Sequence, residues 1–205
     1  MKRIVLLAAM AGALWVSAAS AADKMTALTY NFSIPGTNMD DYISDTSFIG
    51  FELSGRQYMN RERPFMVGLS AGWEVFDQET SGTINALGVD ITGNQHRYIN
   101  AFPLMVTLHA YFGPRDGTQF YVGTGVGAFY FKQQFDIGVY TFDEGTWQFG
   151  VVPEVGVQVP LSGYTGSLLV NAKYNYAVAS GESLSGDSVA WDYLGINVGF
   201  AWTRW

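Results

Sequence analysis

Phe65-Met66-Val67-Gly68-Leu69-Ser70-Ala71-Gly72-Trp73-Glu74-Val75 is the stretch that decides the fold. Its odd positions read Phe, Val, Leu, Ala, Trp, Val, and its even positions read Met, Gly, Ser, Gly, Glu. Successive side chains of a strand point to opposite faces, so this segment has one apolar face and one small, polar face. The C-terminal segment repeats the arrangement, with Leu194, Ile196, Val198, Phe200 and Trp202 alternating against Gly195, Asn197, Gly199, Ala201 and Thr203. The same period of two recurs in segment after segment between them. That is the pattern of strands that meet lipid on one face.

Working outward from these segments gives eight strands, over residues 25–34, 48–59, 65–76, 98–112, 120–132, 147–161, 167–178 and 193–202. The connections alternate between long (35–47, 77–97, 133–146, 179–192) and short (60–64, 113–119, 162–166), as in bacterial outer-membrane barrels. The short ones carry turn chemistry, such as Gly113-Pro114-Arg115-Asp116-Gly117. An even strand count puts both termini on one side. Pro103 and Pro153 fall inside strands, where each deletes a ladder hydrogen bond, so bulges are expected at both.

A soluble barrel or sandwich also alternates with period two, but it turns its bulky apolar face inward. Here the fully apolar parity opposes one that holds Glu52, Arg56, Glu74, His109, Glu154, Gln158, Asn171, Lys173 and Asn175. A dry soluble core cannot hold that many charges, so the apolar face is read as the outer one. Aromatic residues cluster at strand ends, with Trp73, Tyr130, Trp147 and Tyr176 at one level and Phe65, Phe112, Phe120 and Trp202 at the other. Such girdles mark the two membrane interfaces.

The chain begins with Lys2 and Arg3, an apolar run over 4–16, and the small residues Ser17, Ala18, Ala19, Ser20, Ala21 and Ala22. This reads as a secretory signal peptide over 1–21, with one barrel domain over 22–205. Loss of Lys2 and Arg3 takes the basic residues from 11 to 9 against 18 acidic ones, and the net charge from −7 to −9. Such a chain has no general affinity for nucleic acid. It contains no cysteine, which removes disulfides and thiolate metal sites. Its 24 glycines and 16 % aromatics suit twisted strands better than long helices.

Acidic residues concentrate in the long connections. Asp40, Asp41 and Asp45 lie in the first, Asp77, Glu79 and Asp90 in the second, Asp136, Asp143 and Glu144 in the third, and Glu182, Asp187 and Asp192 in the fourth. Their spacing lacks the regularity of a calcium loop, and no metal site or cofactor is expected. The first reading of such loops is a solvated surface; the second is that their carboxylates meet a basic host or surface ligand, or share divalent cations with lipopolysaccharide phosphates.

Gly195-Ile196-Asn197-Val198-Gly199-Phe200-Ala201-Trp202 resembles the terminal strand signal read by the outer-membrane assembly machinery. The segment Phe120-Tyr121-Val122-Gly123-Thr124-Gly125-Val126-Gly127 looks like the fifth strand of small eight-stranded outer-membrane proteins of the OmpX, OmpA and OmpW kind. The resemblance implies an all-β, eight-stranded, antiparallel up-and-down transmembrane barrel in the outer membrane of a diderm bacterium, surrounded by outer-membrane lipids and lipopolysaccharide. It also implies that Val198, Phe200 and Trp202 form the assembly signal. One departure is that Thr203-Arg204-Trp205 follows the in-phase aromatic, where the family usually ends.

An eight-stranded barrel is just wide enough for side chains to fill it. The inward acids Glu52, Glu74 and Glu154 are therefore expected to pair with Arg56, Lys173 and His109 in an internal network, because an isolated buried charge is costly. Some small outer-membrane barrels are lipid A acyl-chain hydrolases that use a lipid-facing His and Ser. Here His96 falls in a long connection and His109 faces inward, and no nucleophile elbow, HExxH or phosphate loop occurs. The reading is a non-enzymatic barrel whose structural or adhesive work is done by its exposed loops, with an OmpW-like narrow channel for small solutes as the alternative.

Overall fold

The computed structural model describes residues 24–59, 64–86, 89–137, 140–161, 166–178 and 190–204. The signal peptide read at 1–21 and the domain boundary after it lie outside these residues. The elements are β1 (Lys24–Pro35), a short helical turn α1 (Thr37–Asp40), β2 (Ile49–Tyr58), β3 (Phe65–Ala86), β4 (Val89–Phe112), β5 (Gln119–Ile137), β6 (Tyr140–Pro160), β7 (Gly166–Ala177) and β8 (Trp191–Arg204). Each strand pairs antiparallel with its sequence neighbours, and β1 pairs with β8 from Lys24↔Arg204 to Pro35↔Tyr193, which closes the barrel.

The alternation translates directly into an inside and an outside. Leu28, Phe51, Leu53, Val106, Val126, Val155, Ile196 and Phe200 lie on the outer wall, each 41–56 % exposed. Arg56, Glu154 and Lys173 lie inside and are 1–4 % exposed. This inversion of the usual soluble pattern gives the barrel an apolar belt suited to a bilayer. Trp73 stacks edge-on with Phe51 and donates its indole N–H to Asn100 Oδ1 at 2.9 Å, while Tyr130 packs on Trp147 at 5.0 Å. Phe65, Phe112, Phe120 and Trp202 are exposed at the end that carries the termini.

Two of the expected long loops are instead continuations of strands. β3 and β4 pair out to Ala86↔Val89, β5 and β6 pair out to Ile137↔Tyr140, and β4 stays joined to β5 as far as Gln95↔Ile137. Four strands therefore continue past the aromatic level as one protruding sheet. Ladder hydrogen bonds stabilise it there, together with Phe135 stacked on Phe142 and the buried Ile137 on its inner face.

Neither expected bulge forms. On β4, Ala71↔Leu104 and Glu74↔Ala101 keep one register on either side of Pro103, and Pro103↔Phe129 stays paired on the β5 side. On β6, Val151↔Tyr176 and Glu154↔Lys173 do the same around Pro153, with Thr124↔Pro153 kept. A residue in an antiparallel ladder aims its N–H and C=O at one neighbour, so each proline interrupts one ladder and leaves the other intact. Gly72 makes room for the Pro103 ring, whose Cγ would stand 3.0 Å from a Cβ at that position.

The lumen is layered. Its outer end is apolar, built from Phe76, Ile99, Phe131 and Trp191, and it is filled by Met39 and Ile43 from the β1–β2 connection. Met25, Tyr58, Met66, Tyr111, Tyr121 and Leu169 fill the end near the termini. A cleft of about 10 Å³ there, lined by Met25, Tyr58, Met66, Gln119, Gln158 and Thr203, has room for about one water.

Candidate functional site

Strand register assembles the polar middle of the lumen. His109, Gly123, Glu154, Lys173, Gly195 and Ser33 are successive cross-strand partners on β4, β5, β6, β7, β8 and β1. Gly123 is needed because a Cβ there would overlap the His109 ring. Its absence lets His109 lean over β5 to reach Glu154.

Glu154 is the hub. Its Oε1 accepts from Arg56 Nη2 at 2.9 Å and from the Tyr121 hydroxyl at 2.7 Å, and its Oε2 lies 3.1 Å from His109 Nε2 and 3.4 Å from Lys173 Nζ. Arg56 crosses the lumen from β2, donates to the Tyr111 hydroxyl at 2.9 Å, and holds its guanidinium 4.9 Å from the Tyr121 ring centroid. Lys173 also pairs with Glu52 at 2.5 Å. The structure thus brings together Glu52, Arg56, His109, Glu154 and Lys173, all with buried side chains. Glu74 stands apart from them, accepting from Asn31 Nδ2 at 3.2 Å and from the Ser33 hydroxyl at 2.8 Å.

Sequence reasoning missed the neutral members of this network. Tyr111 stacks on Tyr121 at 5.0 Å, and Asn171 Nδ2 donates to the Tyr121 hydroxyl at 3.1 Å. Their inward parity was the available signal, since buried hydroxyls and amides need partners. The arrangement cross-links strands through charge-assisted hydrogen bonds.

The β1–β2 connection packs into the outer mouth through Met39 and Ile43. Asp192, expected in a loop, is in β8 and is buried, and it holds this connection in place. Its carboxylate accepts from Asn38 N at 2.9 Å and from the Tyr174 hydroxyl at 2.7 Å, and its carbonyl accepts from Gly36 N at 2.8 Å. Arg97 donates to the Tyr42 carbonyl at 2.8 Å and lies 5.3 Å from that ring's centroid. Burial raises the Tyr42 hydroxyl above its ordinary pKa, against the pull of Arg97.

Beyond the mouth, the outer face of the protruding sheet carries two cross-strand rows, Asp77–Tyr98–Gln134–Asp143 and Glu79–His96–Asp136–Thr141. Asp77, Glu79 and Asp143 are exposed there, as are Asp40, Asp41 and Asp45 in the β1–β2 connection. Hydrogen bonds from Thr141 and Gln134 hold Asp136 below the usual carboxyl range, so it stays ionised. The side chain of Asp90, and Glu182 and Asp187, lie outside the described residues. Among the described residues no three His, Asp or Glu side chains are placed to hold a metal ion.

Val198, Phe200 and Trp202 all point outward on β8, with Phe200 53 % and Trp202 49 % exposed. They form part of the apolar belt beside the β1 seam.

No protein-family model matches the chain, and no curated protein does. Solved structures do resemble it. A major outer-membrane protein of Thermus thermophilus has TM-score 0.58 and 14 % identity, covering 89 % of this chain and 99 % of that one. The outer-membrane protease OmpT of Escherichia coli has TM-score 0.55 and 7 % identity, covering 91 % and 98 %. The attachment invasion locus protein Ail of Yersinia pestis, solved with the heparin analogue sucrose octasulfate, has TM-score 0.48 and 15 % identity, covering 88 % and 99 %. The first two likenesses extend to the fold, and the ring of eight antiparallel strands is this chain's own: the chain is a small eight-stranded β-barrel of the outer-membrane type.

Proposed function

We propose that this protein is a non-enzymatic outer-membrane barrel that works at the cell surface, with the protruding β3–β6 sheet as its contact element. The observation that carries the reading is the contrast between a lumen lined by buried side chains at both ends and at the Glu154 level and four strands that continue past the aromatic level. β3 pairs with β2 only as far as Ile49↔Val75, and β6 pairs with β7 only from Gly150↔Ala177. Among the described residues, 79–86 of β3 and 140–145 of β6 therefore have no strand partner on their outer sides. Exposed ladder groups of this kind accept an extended chain. The carboxylate rows on the outer face favour a basic partner, or divalent cations shared with lipopolysaccharide phosphates. In this reading Val198, Phe200 and Trp202 serve recognition by the assembly machinery.

The alternative is a narrow path for small solutes. Inward polar side chains along the lumen favour it, and the packing of Met39 and Ile43 into the mouth and the Glu154 hub oppose it. One reconstitution tests both. Refolded mature protein in a planar bilayer should give no discrete conductance steps. The same protein in vesicles should retain polylysine in low salt and release it as salt rises. Replacing Asp77, Glu79, Asp136 and Asp143 with their amides should abolish retention. Discrete steps that change with Glu154→Gln would replace the surface reading with the channel one.

A further inference from the structure

Inward-facing glycines in this barrel fall into two kinds. At Gly123, Gly127, Gly156 and Gly199 a Cβ would collide with a ring or a backbone carbonyl, so only glycine fits. Gly195 differs. A Cβ there would sit in ordinary contact, 3.5 Å from Asn175 Nδ2, 3.5 Å from Asn197 Oδ1 and 3.8 Å from Ser33 Oγ. Steric exclusion does not require glycine at this position, and the missing Cβ leaves a small hollow, about the size of a methyl group, over it. Every atom nearest the hollow is polar, and the three come from β7, β8 and β1.

The hydrogen bonding around the hollow is incomplete. Asn197 is 1 % exposed and Asn171, its cross-strand neighbour, is 3 % exposed. The Oδ1 atoms of both lack a hydrogen-bond partner among the described residues. Buried carboxamide oxygens are rarely left so. Ser33 commits its hydrogen to Glu74 Oε2, which leaves its oxygen lone pairs free to accept. Lys173, directly across from Gly195, directs its ammonium to Glu52 and Glu154, and it contributes none of the three atoms nearest the hollow.

We propose that the hollow over Gly195 is a binding site for a single structural water, which joins the Glu74 group to the wall of asparagines. It donates to Asn197 Oδ1 and to Ser33 Oγ and accepts from Asn175 Nδ2. Three bonds is the usual number for a buried water. A cation is disfavoured by the adjacent Lys173 ammonium and by the amide donor of Asn175, and a larger solute does not fit between three side chains this close. The site is the reason position 195 carries glycine: a methyl group would occupy the space and give Asn197 nothing to bond.

Thermal unfolding of the refolded mature protein in detergent micelles tests the site through three variants. Gly195→Ala should lower the midpoint by about a few degrees, because it displaces the water and strands Asn197 Oδ1. Gly195→Ser should recover much of the loss, since its hydroxyl stands in for the water. Gly125→Ala is the steric control. Its Cβ would meet only carbon, Met105 Cβ at 3.3 Å, Met105 Cγ at 3.5 Å and Thr107 Cγ2 at 3.5 Å. That fit is tighter, yet the variant should lose less than Gly195→Ala. In an Asn197→Ala background the Gly195→Ala penalty should shrink. An unchanged or raised midpoint for Gly195→Ala overturns the site, because an alanine that displaces nothing stabilises by restricting the unfolded chain. So does a serine variant no better than alanine. If the alanine variant fails to fold while the serine variant folds, the site stands; failure of both overturns it.

Discussion

At Glu154 a single carboxylate gathers an arginine, a lysine, a histidine and a tyrosine hydroxyl from four different strands. Removing its charge leaves Arg56 buried without a carboxylate partner and Lys173 with Glu52 alone. Breaking a buried pair this way costs about 3–5 kcal/mol. Glu154→Gln is therefore expected to lower the midpoint of chemical unfolding strongly. Glu74→Gln, whose hydrogen-bond partners are the neutral Asn31 and Ser33, should lower it less. Equal effects from the two, or none from Glu154→Gln, would show that Glu154 is solvated. The charged members of this cluster were readable from parity, because a charge opposite a lipid face has nowhere else to go. The separation of Glu74 from the cluster was not readable, since it depends on register between strands distant in sequence, and parity says nothing about register.

Element boundaries were legible only where lipid imposes a pattern. Within the belt, Phe65 to Trp73 alternates because one face meets hydrocarbon, and the strand ends near the termini fall within two residues of expectation. Past Val75 the sequence Asp77-Gln78-Glu79-Thr80-Ser81-Gly82 is polar on both faces, so the alternation vanishes while the strand continues. A loop was therefore read where the ladder in fact persists. The prolines misled for a related reason: a bulge was inferred from one missing donor, though antiparallel pairing confines that loss to one side. This difference between belt and protrusion is testable on a single strand. Val126→Arg places a charge near the bilayer midplane at a cost of about 2–4 kcal/mol and should sharply reduce the folded fraction on refolding into lipid. Gln134→Arg, eight positions further along the same face of β5, should fold normally. Similar yields for the two variants would mean that the belt does not end at Tyr130.

The molecule as a whole consists of a closed wall, an interior lined by buried side chains and a latched mouth. Closure and the eight-strand count were legible in the sequence; the latch was not, because Asp192 meets Asn38 across most of the chain's length. Asp192→Ala removes the acceptor shared by Asn38 N and the Tyr174 hydroxyl. Charge-assisted bonds are worth about 1.5–3 kcal/mol. Amide hydrogen exchange over 36–43 should speed up by about tenfold or more, with the exchange of β4 and β5 unchanged. Uniform acceleration would mean that Asp192 supports the wall and not the latch.

The seam between β1 and β8 also sets an order in time. The first strand of the barrel waits for the last, because its ladder from Lys24 to Pro35 is completed only by Tyr193 to Arg204. Until that clasp is made, two strand edges stand open and the interior charges have no enclosure. The chain therefore has no stable halfway form within a bilayer. Everything between the two ends, however well patterned, becomes a vessel only when its final strand arrives.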